Sequence, residues 1–467
     1  MRRAAWVAWA LLAAAGAAAR AAPPPAVPDT PAGRVFSAWL AAFNSADRET
    51  IQAFDRRHRS EPRDVEQTLG FRRMTGGFTL VRVEKSEPTA LSALLQENDS
   101  DTVARLEMSV TADDPPRIVR AELLAVPRPA DLQLPRLGEA EALAALAARA
   151  DALAAADQFA GAVLVARHGK PLLQRAWGLA DRESQAPANL ETQFRLGSMN
   201  KMFTAVATLQ LVDAGKLALD DPIGKHLTDY PSPDVAAKVT VRHLLTHTGG
   251  TGDIFGPEFE KNRLSLRTHA DYVKLYGARP LTHEPGAAQR YSNYGFVLLG
   301  ALIEKVTGRS YYDHVREAVF EPAGMRATAS LPESVEAPGR AVGYLKRDGR
   351  WVPNTDTLPW RGTAAGGGYA TAGDLFRFAQ ALESGTLLSK ARLAEATRPQ
   401  RPNYGFGFGV AGEGPLRSYG HGGGAPGMNG ELRVFPELGY VLVALSNLDP
   451  PAASRLVDFF ALRMPGR

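Results

Sequence analysis

Eight residues, Phe194-Arg195-Leu196-Gly197-Ser198-Met199-Asn200-Lys201, hold the only Ser-x-x-Lys pattern of the chain. Apolar residues follow at helical spacing as far as Gly215, which predicts an amphipathic helix with a glycine stop. Because residues three apart share one face of a helix, we expect Lys201 one turn above the Ser198 hydroxyl. The stretch therefore predicts a hydroxyl and an amine held together at the start of a helix.

This pair suits nucleophilic catalysis. A serine hydroxyl is a poor nucleophile until a base removes its proton, and a buried amine can act as that base when its pKa is lowered. The free N–H groups of a helix start add positive potential where negative charge develops. In the alternative interpretation Ser198 only caps the helix and Lys201 is a solvated lysine, and a short motif alone does not separate the two.

A second polar pattern lies in the middle of the chain. Tyr291-Ser292-Asn293 is the only Tyr-x-Asn, and the apolar run Val297 to Val306 behind it predicts a helix. A phenol and an amide in one loop can supply a proton carrier and a hydrogen-bonding group for substrate. The alternative is a turn whose asparagine caps the following helix.

A glycine-rich stretch near the end of the chain reads Ser418-Tyr419-Gly420-His421-Gly422-Gly423-Gly424. Two predicted strands follow it, Glu431 to Phe435 and Tyr440 to Leu445. Glycines beside a sheet permit close approach of another backbone, as substrate binding along an edge strand requires. The alternative is a flexible loop.

Histidines elsewhere in the sequence carry no predicted chemistry. His243 and His247 are four residues apart and could bind a metal on one helical face, but no third ligand follows at a suitable spacing. We therefore expect a structural turn there, and neither a metal nor another cofactor. His58 and His168 are expected to be exposed to solvent.

Residues from about 138 to 467 resemble the serine β-lactamase and penicillin-binding-protein superfamily, in particular its class C-like branch with esterase and D,D-peptidase relatives. The branch's three motifs occur in chain order. Ser-x-x-Lys is Ser198 to Lys201, Tyr-x-Asn is Tyr291 to Asn293, and the Lys-Thr-Gly element corresponds to His421-Gly422-Gly423. The stretches Leu-Leu-Thr-His-Thr-Gly-Gly (244–250) and Thr-Ala-Gly-Asp-Leu (371–375) are also similar to this family.

The resemblance implies an α+β fold, in which an antiparallel sheet built from both ends of this region packs against an all-helical subdomain. It also implies that Ser198 is acylated and that Lys201 and Tyr291 share the proton transfers, without deciding which of them is the base. Further residues would contact the substrate or its oxyanion. They are Asn293, His421 and Gly423 as substrate-binding residues, and the N–H groups of Ser198 and Gly424 as the oxyanion hole.

The third motif departs from the family pattern. The lysine and threonine of Lys-Thr-Gly would meet a substrate carboxylate, whereas Gly422 has no hydroxyl and His421 is only partly charged near neutral pH. We therefore expect hydrolysis of small, less anionic esters or amides. The alternatives are β-lactam hydrolysis, D-Ala-D-Ala carboxypeptidase or D-aminopeptidase activity, and an inactive scaffold or sensor. The absence of a Gly-x-Ser-x-Gly pattern argues against an α/β-hydrolase.

The first residues predict export. Residues 1–21 combine Arg2 and Arg3, a short apolar stretch and an Ala-x-Ala site, as a cleavable signal peptide does. Without the three arginines of this segment the net charge falls from +4 to +1, so nucleic acid is not an expected partner. No later segment is long and apolar enough to span a membrane. With no cysteine for disulfides, the sequence favours a bacterial periplasmic or secreted protein.

Composition also divides the chain. Residues 22–32 are rich in proline and predict a disordered tether, and residues 33–126 predict a small α+β domain of helices followed by antiparallel strands. The proline-containing segment 127–136 predicts a linker. The β-lactamase-like domain is then expected over residues 137–467.

Overall fold

The computed structural model describes residues 25–347 and 349–466. The chain divides into two units, Met1–Leu132 and Gln133–Arg467. The predicted signal peptide, residues 1–21, lies outside the described residues, so export stays a prediction. No helix in the described part of the chain has the length and apolar character needed to cross a bilayer.

In its described residues, the first unit places three helices before a four-stranded antiparallel sheet of order β1-β2-β3-β4. Its elements are α1 (Pro31–Ser45), α2 (Arg48–His58), α3 (Val65–Thr75), β1 (Phe78–Ser86), β2 (Ala90–Glu97), β3 (Val103–Val110) and β4 (Ile118–Val126). Alternation in β1 slips after Leu80, and the structure has a register shift between Leu80 and Arg82 at that point.

Two expectations for this unit are wrong. Helix α1 begins at Pro31, so the last two residues of the predicted tether are helical, because Thr30 accepts a hydrogen bond from the Gly33 N–H and proline suits the first helical turn. His58 is buried, with 8 % of its surface exposed, because its ring packs on Phe54 and its Nδ1 lies 2.8 Å from the Pro116 carbonyl oxygen.

The second unit is built around a six-stranded antiparallel sheet of order β13-β14-β15-β16-β5-β6. Both ends of the unit contribute strands to this sheet, as expected. Its strands, with the shorter ones outside it, are β5 (Gly161–Arg167), β6 (Lys170–Trp177), β7 (Leu179–Asp181), β8 (Ala186–Pro187), β9 (Phe194–Arg195), β10 (Tyr344–Arg347), β11 (Arg350–Pro353), β12 (Tyr369–Ala370), β13 (Gly409–Ala411), β14 (Ser418–Ala425), β15 (Met428–Phe435) and β16 (Tyr440–Ser446). His168, in the turn after β5, is exposed as expected.

Helices cover both faces of this sheet. The helices described in this unit are α4 (Glu139–Ala155), α5 (Asn200–Asp213), α6 (Pro233–Lys238), α7 (Val241–Leu245), α8 (Pro257–Asn262), α9 (His269–Tyr276), α10 (Asn293–Thr307), α11 (Tyr311–Val315), α12 (Glu321–Ala323), α13 (Ala372–Glu383), α14 (Lys390–Ala396) and α15 (Ser454–Arg463). One face packs on α4 and α15 through a cluster that includes Leu146, Leu153 and Phe460. The other face packs on α5 and α13, whose rings Phe203 and Phe378 meet edge to face.

Strand β14 is where the sheet reaches the helical part. It pairs with β13 only through Ser418 to Gly420, so within the described residues its segment from His421 to Ala425 pairs on one side alone, with β15. Gly423 lies against the turn before α5, where a Cβ at this position would be 1.9 Å from the Leu196 carbonyl oxygen. The glycine therefore permits the edge strand to contact the turn that carries Ser198.

Candidate active site

Ser198 lies in a 3₁₀ turn, Gly197–Met199, that runs directly into α5 at Asn200. Its hydroxyl makes no capping bond to the helix. The side chain is partly exposed, and it accepts a hydrogen bond from Lys201 Nζ at 3.1 Å. The interpretation of Ser198 as a helix cap is therefore wrong, and its hydroxyl is available for chemistry.

Lys201 is fully buried in the first turn of α5. Besides the Ser198 hydroxyl, its ammonium donates to Asn293 Oδ1 at 2.7 Å and to the Ala365 carbonyl oxygen at 2.5 Å. Burial lowers the pKa of Lys201 to about 7, and the negative charge of Asp253 opposes the shift. The solvated-lysine interpretation is therefore wrong. Near neutral pH a substantial fraction of this amine is unprotonated and can accept a proton.

The ring of Tyr291 lies against the Lys201 amine. Lys201 Nζ lies 4.6 Å from the centroid of the Tyr291 ring. The residue is 46 % exposed, yet the surroundings of its hydroxyl raise the pKa of the phenol to about 12, against the opposing effect of a hydrogen bond with Ser198. The phenol therefore stays protonated at neutral pH.

Asn293 is the first residue of α10, and the capping residue of that helix is its neighbour Ser292. The Ser292 hydroxyl accepts from the Gly295 N–H at 2.9 Å. This leaves the Asn293 amide free to bridge Lys201, through Oδ1, and Asp253, to which Nδ2 donates at 3.2 Å. The interpretation of Asn293 as a helix cap is therefore wrong.

His421 stands on the free segment of β14, beside the other two motifs. Its Nε2 lies 3.1 Å from the Tyr404 hydroxyl and its Nδ1 lies 2.6 Å from the Gly422 carbonyl oxygen. Removal from water and the nearby Lys201 charge lower the pKa of His421 to about 4. The imidazole is therefore neutral at pH 7, where the sequence alone indicated partial charge.

The glycines after His421 alternate across the strand. Gly422 and Gly424 are exposed and Gly423 is buried. A Cβ on Gly197 would lie 3.1 Å from the Gly424 amide nitrogen, so this amide and the backbone at Ser198 are close neighbours. Gly423 faces the Leu196 turn, so any contact that it makes with substrate must come from its backbone.

The structure thus brings the three motifs together, and it adds residues that sequence analysis did not identify. Asp253 accepts from the backbone N–H of Asn293 at 3.1 Å and of Ile254 at 2.7 Å. Ala365 contributes only a backbone oxygen, and Tyr404 precedes the third motif by 17 residues. No local pattern marks these positions, because their partners are distant in sequence.

The two histidines of the Leu-Leu-Thr-His-Thr-Gly-Gly region have different roles. The His243 ring accepts from the Thr240 N–H at 3.3 Å within the capping box of α7, so it belongs to the expected turn. His247 is buried against Tyr291. Among the residues described, no three His, Cys, Asp or Glu side chains group as a metal site would.

Comparison with known proteins agrees with this geometry. A family model described as beta-lactamase matches residues 146–463, more than half of the chain. Penicillin-binding protein 4* of Bacillus subtilis is 32 % identical over 319 residues, which cover 62 % of this chain and 68 % of that protein. Esterase EstB of Burkholderia gladioli is 33 % identical over 315 residues, which cover 57 % of this chain and 79 % of that protein.

A solved structure gives the same result for the fold. The crystal structure of a penicillin-binding protein from Bacillus halodurans aligns with a TM-score of 0.61 and 30 % identity, covering 66 % of this chain and 98 % of that one. These similarities confirm the α+β fold class and the resemblance predicted from the three motifs. The chain belongs to the β-lactamase family and is a serine hydrolase.

Proposed function

We propose that the chain hydrolyses small esters or amides through an acyl-enzyme on Ser198. The observation that carries this proposal is the contact of 3.1 Å between the Ser198 hydroxyl and the fully buried Lys201 amine, whose pKa is lowered to about 7. A base with a pKa near the working pH is suited to remove the proton of a serine nucleophile.

The two pKa values support Lys201 rather than Tyr291 as the base. Neutral Lys201 would take the Ser198 proton as the oxygen attacks the substrate carbonyl, and its ammonium would return a proton to the leaving group. Tyr291, with a pKa of about 12, would pass that proton as a neutral phenol. Water would then attack the acyl-enzyme by the reverse path and regenerate the Ser198 hydroxyl.

Two further parts of the site fit this proposal. Asn293 would hold the Lys201 amine toward Ser198, and the amide hydrogen not given to Asp253 would bind the acyl side of the substrate. The N–H groups of Ser198 and Gly424 would stabilise the oxyanion, a contribution of roughly 3–4 kcal/mol per donor in comparable enzymes. The close approach of Gly197 and Gly424 supports this pairing.

The activity should depend on pH through Lys201. Below its pKa of about 7 the amine is an ammonium and cannot accept the Ser198 proton, so kcat/KM for a neutral ester will fall roughly tenfold per pH unit on the acid side and level off above neutrality. Steady-state hydrolysis of phenyl acetate over a pH series measures this profile. Tyr291→Phe should be slower but keep the same midpoint. A flat profile, or one that rises only toward the phenol pKa, would contradict Lys201 as the base.

The residues of the third motif favour substrates that carry no carboxylate beside His421 and Gly422. Both ring nitrogens of His421 are hydrogen-bonded within the protein, and Gly422 has no hydroxyl. A lysine and a threonine would each give a charged or charge-assisted hydrogen bond to a carboxylate, worth about 1.5–3 kcal/mol. Losing about 3 kcal/mol corresponds to roughly a hundredfold in kcat/KM. We therefore place neutral esters and amides ahead of β-lactams and D-Ala-D-Ala peptides.

The double variant His421→Lys with Gly422→Thr tests this substrate class. A Cβ at Gly422 would meet nothing closer than the Gly430 carbonyl oxygen at 3.8 Å, so the backbone there leaves room for the Cβ of a threonine. We expect kcat/KM for 3-carboxyphenyl acetate to rise about 10–100-fold relative to phenyl acetate, which lacks only the carboxylate.

Wild type should also hydrolyse phenyl acetate clearly faster than a chromogenic cephalosporin. Equal efficiency on the two would favour the β-lactamase alternative, and turnover of D-Ala-D-Ala or D-aminoacyl amides above esters would favour the peptidase alternatives. An unchanged ratio in the double variant would show that the third motif does not set specificity.

A further inference from the structure

His247 has an unusual backbone for a buried histidine. It is 2 % exposed and has a φ of +57°, in the left-handed region that non-glycine residues rarely adopt. Such a conformation persists when surrounding contacts over-determine it, and it is often found at functional sites. The contacts that hold His247 in this conformation therefore point to a functional role.

One set of contacts holds the loop of the second motif. The Arg290 N–H donates to the His247 carbonyl oxygen at 2.8 Å, and the Ser292 N–H donates to His247 Nδ1 at 3.1 Å. These two residues flank Tyr291, whose ring lies with its centroid 4.3 Å from that of the imidazole. His247 thus fixes the Tyr291 backbone from both sides and packs against its ring.

The other ring nitrogen leads to the third motif. His247 Nε2 lies 3.1 Å from the Tyr404 hydroxyl, which lies 3.1 Å from His421 Nε2. His421 Nδ1 in turn lies 2.6 Å from the Gly422 carbonyl oxygen. A continuous hydrogen-bonded chain, the His247–Tyr404–His421 chain, therefore joins the Tyr291 loop to strand β14.

The two ends of this chain fix the position of every proton in it. A backbone N–H can only donate, so His247 Nδ1 accepts from Ser292. Burial, with the nearby Lys201 charge, holds the pKa of His247 well below its ordinary value, so the ring is neutral and carries its proton on Nε2. That proton goes to the Tyr404 oxygen, so the Tyr404 proton goes to His421 Nε2. A carbonyl oxygen can only accept, so His421 Nδ1 donates to Gly422. The Ser292 N–H at one end and the Gly422 carbonyl oxygen at the other therefore require the same direction of donation, from His247 to Tyr404 to His421.

A cationic His421 would break this arrangement. Its second proton would sit on Nε2, facing a Tyr404 oxygen that already accepts from His247, and the Tyr404 proton would lose its acceptor. The titratable groups around the His247–Tyr404–His421 chain are Lys201 and Tyr291, and neither carries a negative charge near neutral pH. Within the described residues, no carboxylate forms an ion pair with His247 or His421.

We propose that His247 and Tyr404 are positioning residues that hold His421 as its neutral Nδ1–H tautomer, and that this sets the preference for substrates without a carboxylate beside β14. The inference rests on the proposed hydrolysis at Ser198 and adds the cause of its specificity. His421 then presents no free N–H to the substrate, whatever the charge of the ligand.

The tautomers themselves test the proposal without any substrate. Two-bond ¹H–¹⁵N spectra of protein labelled with ¹⁵N-histidine, assigned by difference against His421→Asn and His247→Asn, report the protonated nitrogen of each ring. At pH 7 we expect a proton on Nδ1 of His421 and on Nε2 of His247. An imidazolium at His421, or the opposite tautomer in either ring, would overturn the proposal even if Ser198 is the nucleophile.

Tyr404→Phe tests the consequence for specificity. It keeps the ring and removes the one oxygen that joins the histidines, so His421 becomes able to bind a second proton. Because burial and the Lys201 charge still hold the pKa of His421 below its ordinary value, we expect kcat/KM for 3-carboxyphenyl acetate relative to phenyl acetate to rise about tenfold at about pH 5 and to return toward the wild-type ratio near neutral pH. Protonation of Lys201 affects both esters and cancels in this ratio.

Tyr419→Phe is the matched control. It removes a buried tyrosine hydroxyl that binds Glu383 and takes no part in the His247–Tyr404–His421 chain. In Tyr419→Phe, kcat/KM for 3-carboxyphenyl acetate relative to phenyl acetate should equal the wild-type value. If Tyr404→Phe still reacts with a fluorophosphonate at Ser198 and its ratio does not change with pH, the proposal is wrong. If wild type itself is not labelled at Ser198, the proposed function fails instead.

Discussion

Ser198→Ala will reduce ester hydrolysis to the level of the buffer control, a loss on the order of 10⁶-fold in kcat if it behaves like other serine hydrolases that lose their nucleophile. The reason is that the hydroxyl is the atom that would form the acyl-enzyme, and the remaining groups of the site have no substitute for it. Its neighbours Lys201 and Tyr291 keep their other contacts. Hydrolysis of phenyl acetate at saturating substrate measures the loss.

Ser334→Ala is the control for this variant, because Ser334 is an exposed serine of the same unit. It should retain wild-type kcat. The thermal unfolding midpoint of Ser198→Ala should also match wild type closely, since a partly exposed hydroxyl contributes little to stability. Wild-type turnover by Ser198→Ala would disprove an acyl-enzyme on this residue.

Lys201→Met will lower kcat/KM for neutral esters by about 10²–10⁴-fold, the usual contribution of a general base. Methionine fills a similar volume but cannot accept a proton. The acid limb with its midpoint at about 7 should disappear from the remaining activity, because the group that titrates there is gone. Steady-state kinetics across the pH series record both effects together.

The loss in Lys201→Met has to be separated from unfolding. The variant leaves Asn293 Oδ1 and the Ala365 carbonyl oxygen without their donor, each at a cost of about 1–3 kcal/mol, while it also removes a buried amine. The unfolding midpoint is therefore measured beside activity, and Lys305→Met, at an exposed position of α10, serves as control. A folded Lys201→Met enzyme within tenfold of wild type would exclude Lys201 as the base.

Local sequence was enough to predict the elements that carry the motifs. The predicted helix after Ser198 ends at Asp213, two residues before Gly215 with its φ of +66°, and the side chain of Thr371 caps α13. Both features depend on neighbours within one or two helical turns. Short-range spacing and capping were therefore enough to predict most of the elements that hold the site.

Features decided by distant contacts are not marked in the local sequence. Strand β2 is rich in alanine and leucine, which favour helix, and it is a strand because β1 and β3 pair with it on both sides. His58 is buried only because Pro116, 58 residues later, offers its carbonyl oxygen. Such partners are brought together by the tertiary fold and leave no mark at the residue itself.

The chemistry of the site also divides into features that local sequence predicts and features that depend on distant contacts. The sequence identified Ser198, Lys201 and Tyr291 but could not choose between the last two as the base, because the choice depends on how far each group is removed from water. In the proposed mechanism, the low pKa of Lys201 and the high pKa of Tyr291 favour Lys201 as that base. His247 looked like part of a turn because its partners, Ser292 and Tyr404, are 45 and 157 residues away.

Covalent labelling of Ser198 tests the central claim most directly. Trypsin should release residues 196–201 as one peptide, in which Ser198 is the only hydroxyl side chain. After reaction with a fluorophosphonate, we expect this peptide from wild type and from Ser334→Ala to carry the probe mass in one-to-one stoichiometry, and the peptide from Ser198→Ala to carry none. A wild-type enzyme that hydrolyses esters while this peptide stays unmodified, or that carries the probe on another peptide, would contradict the account.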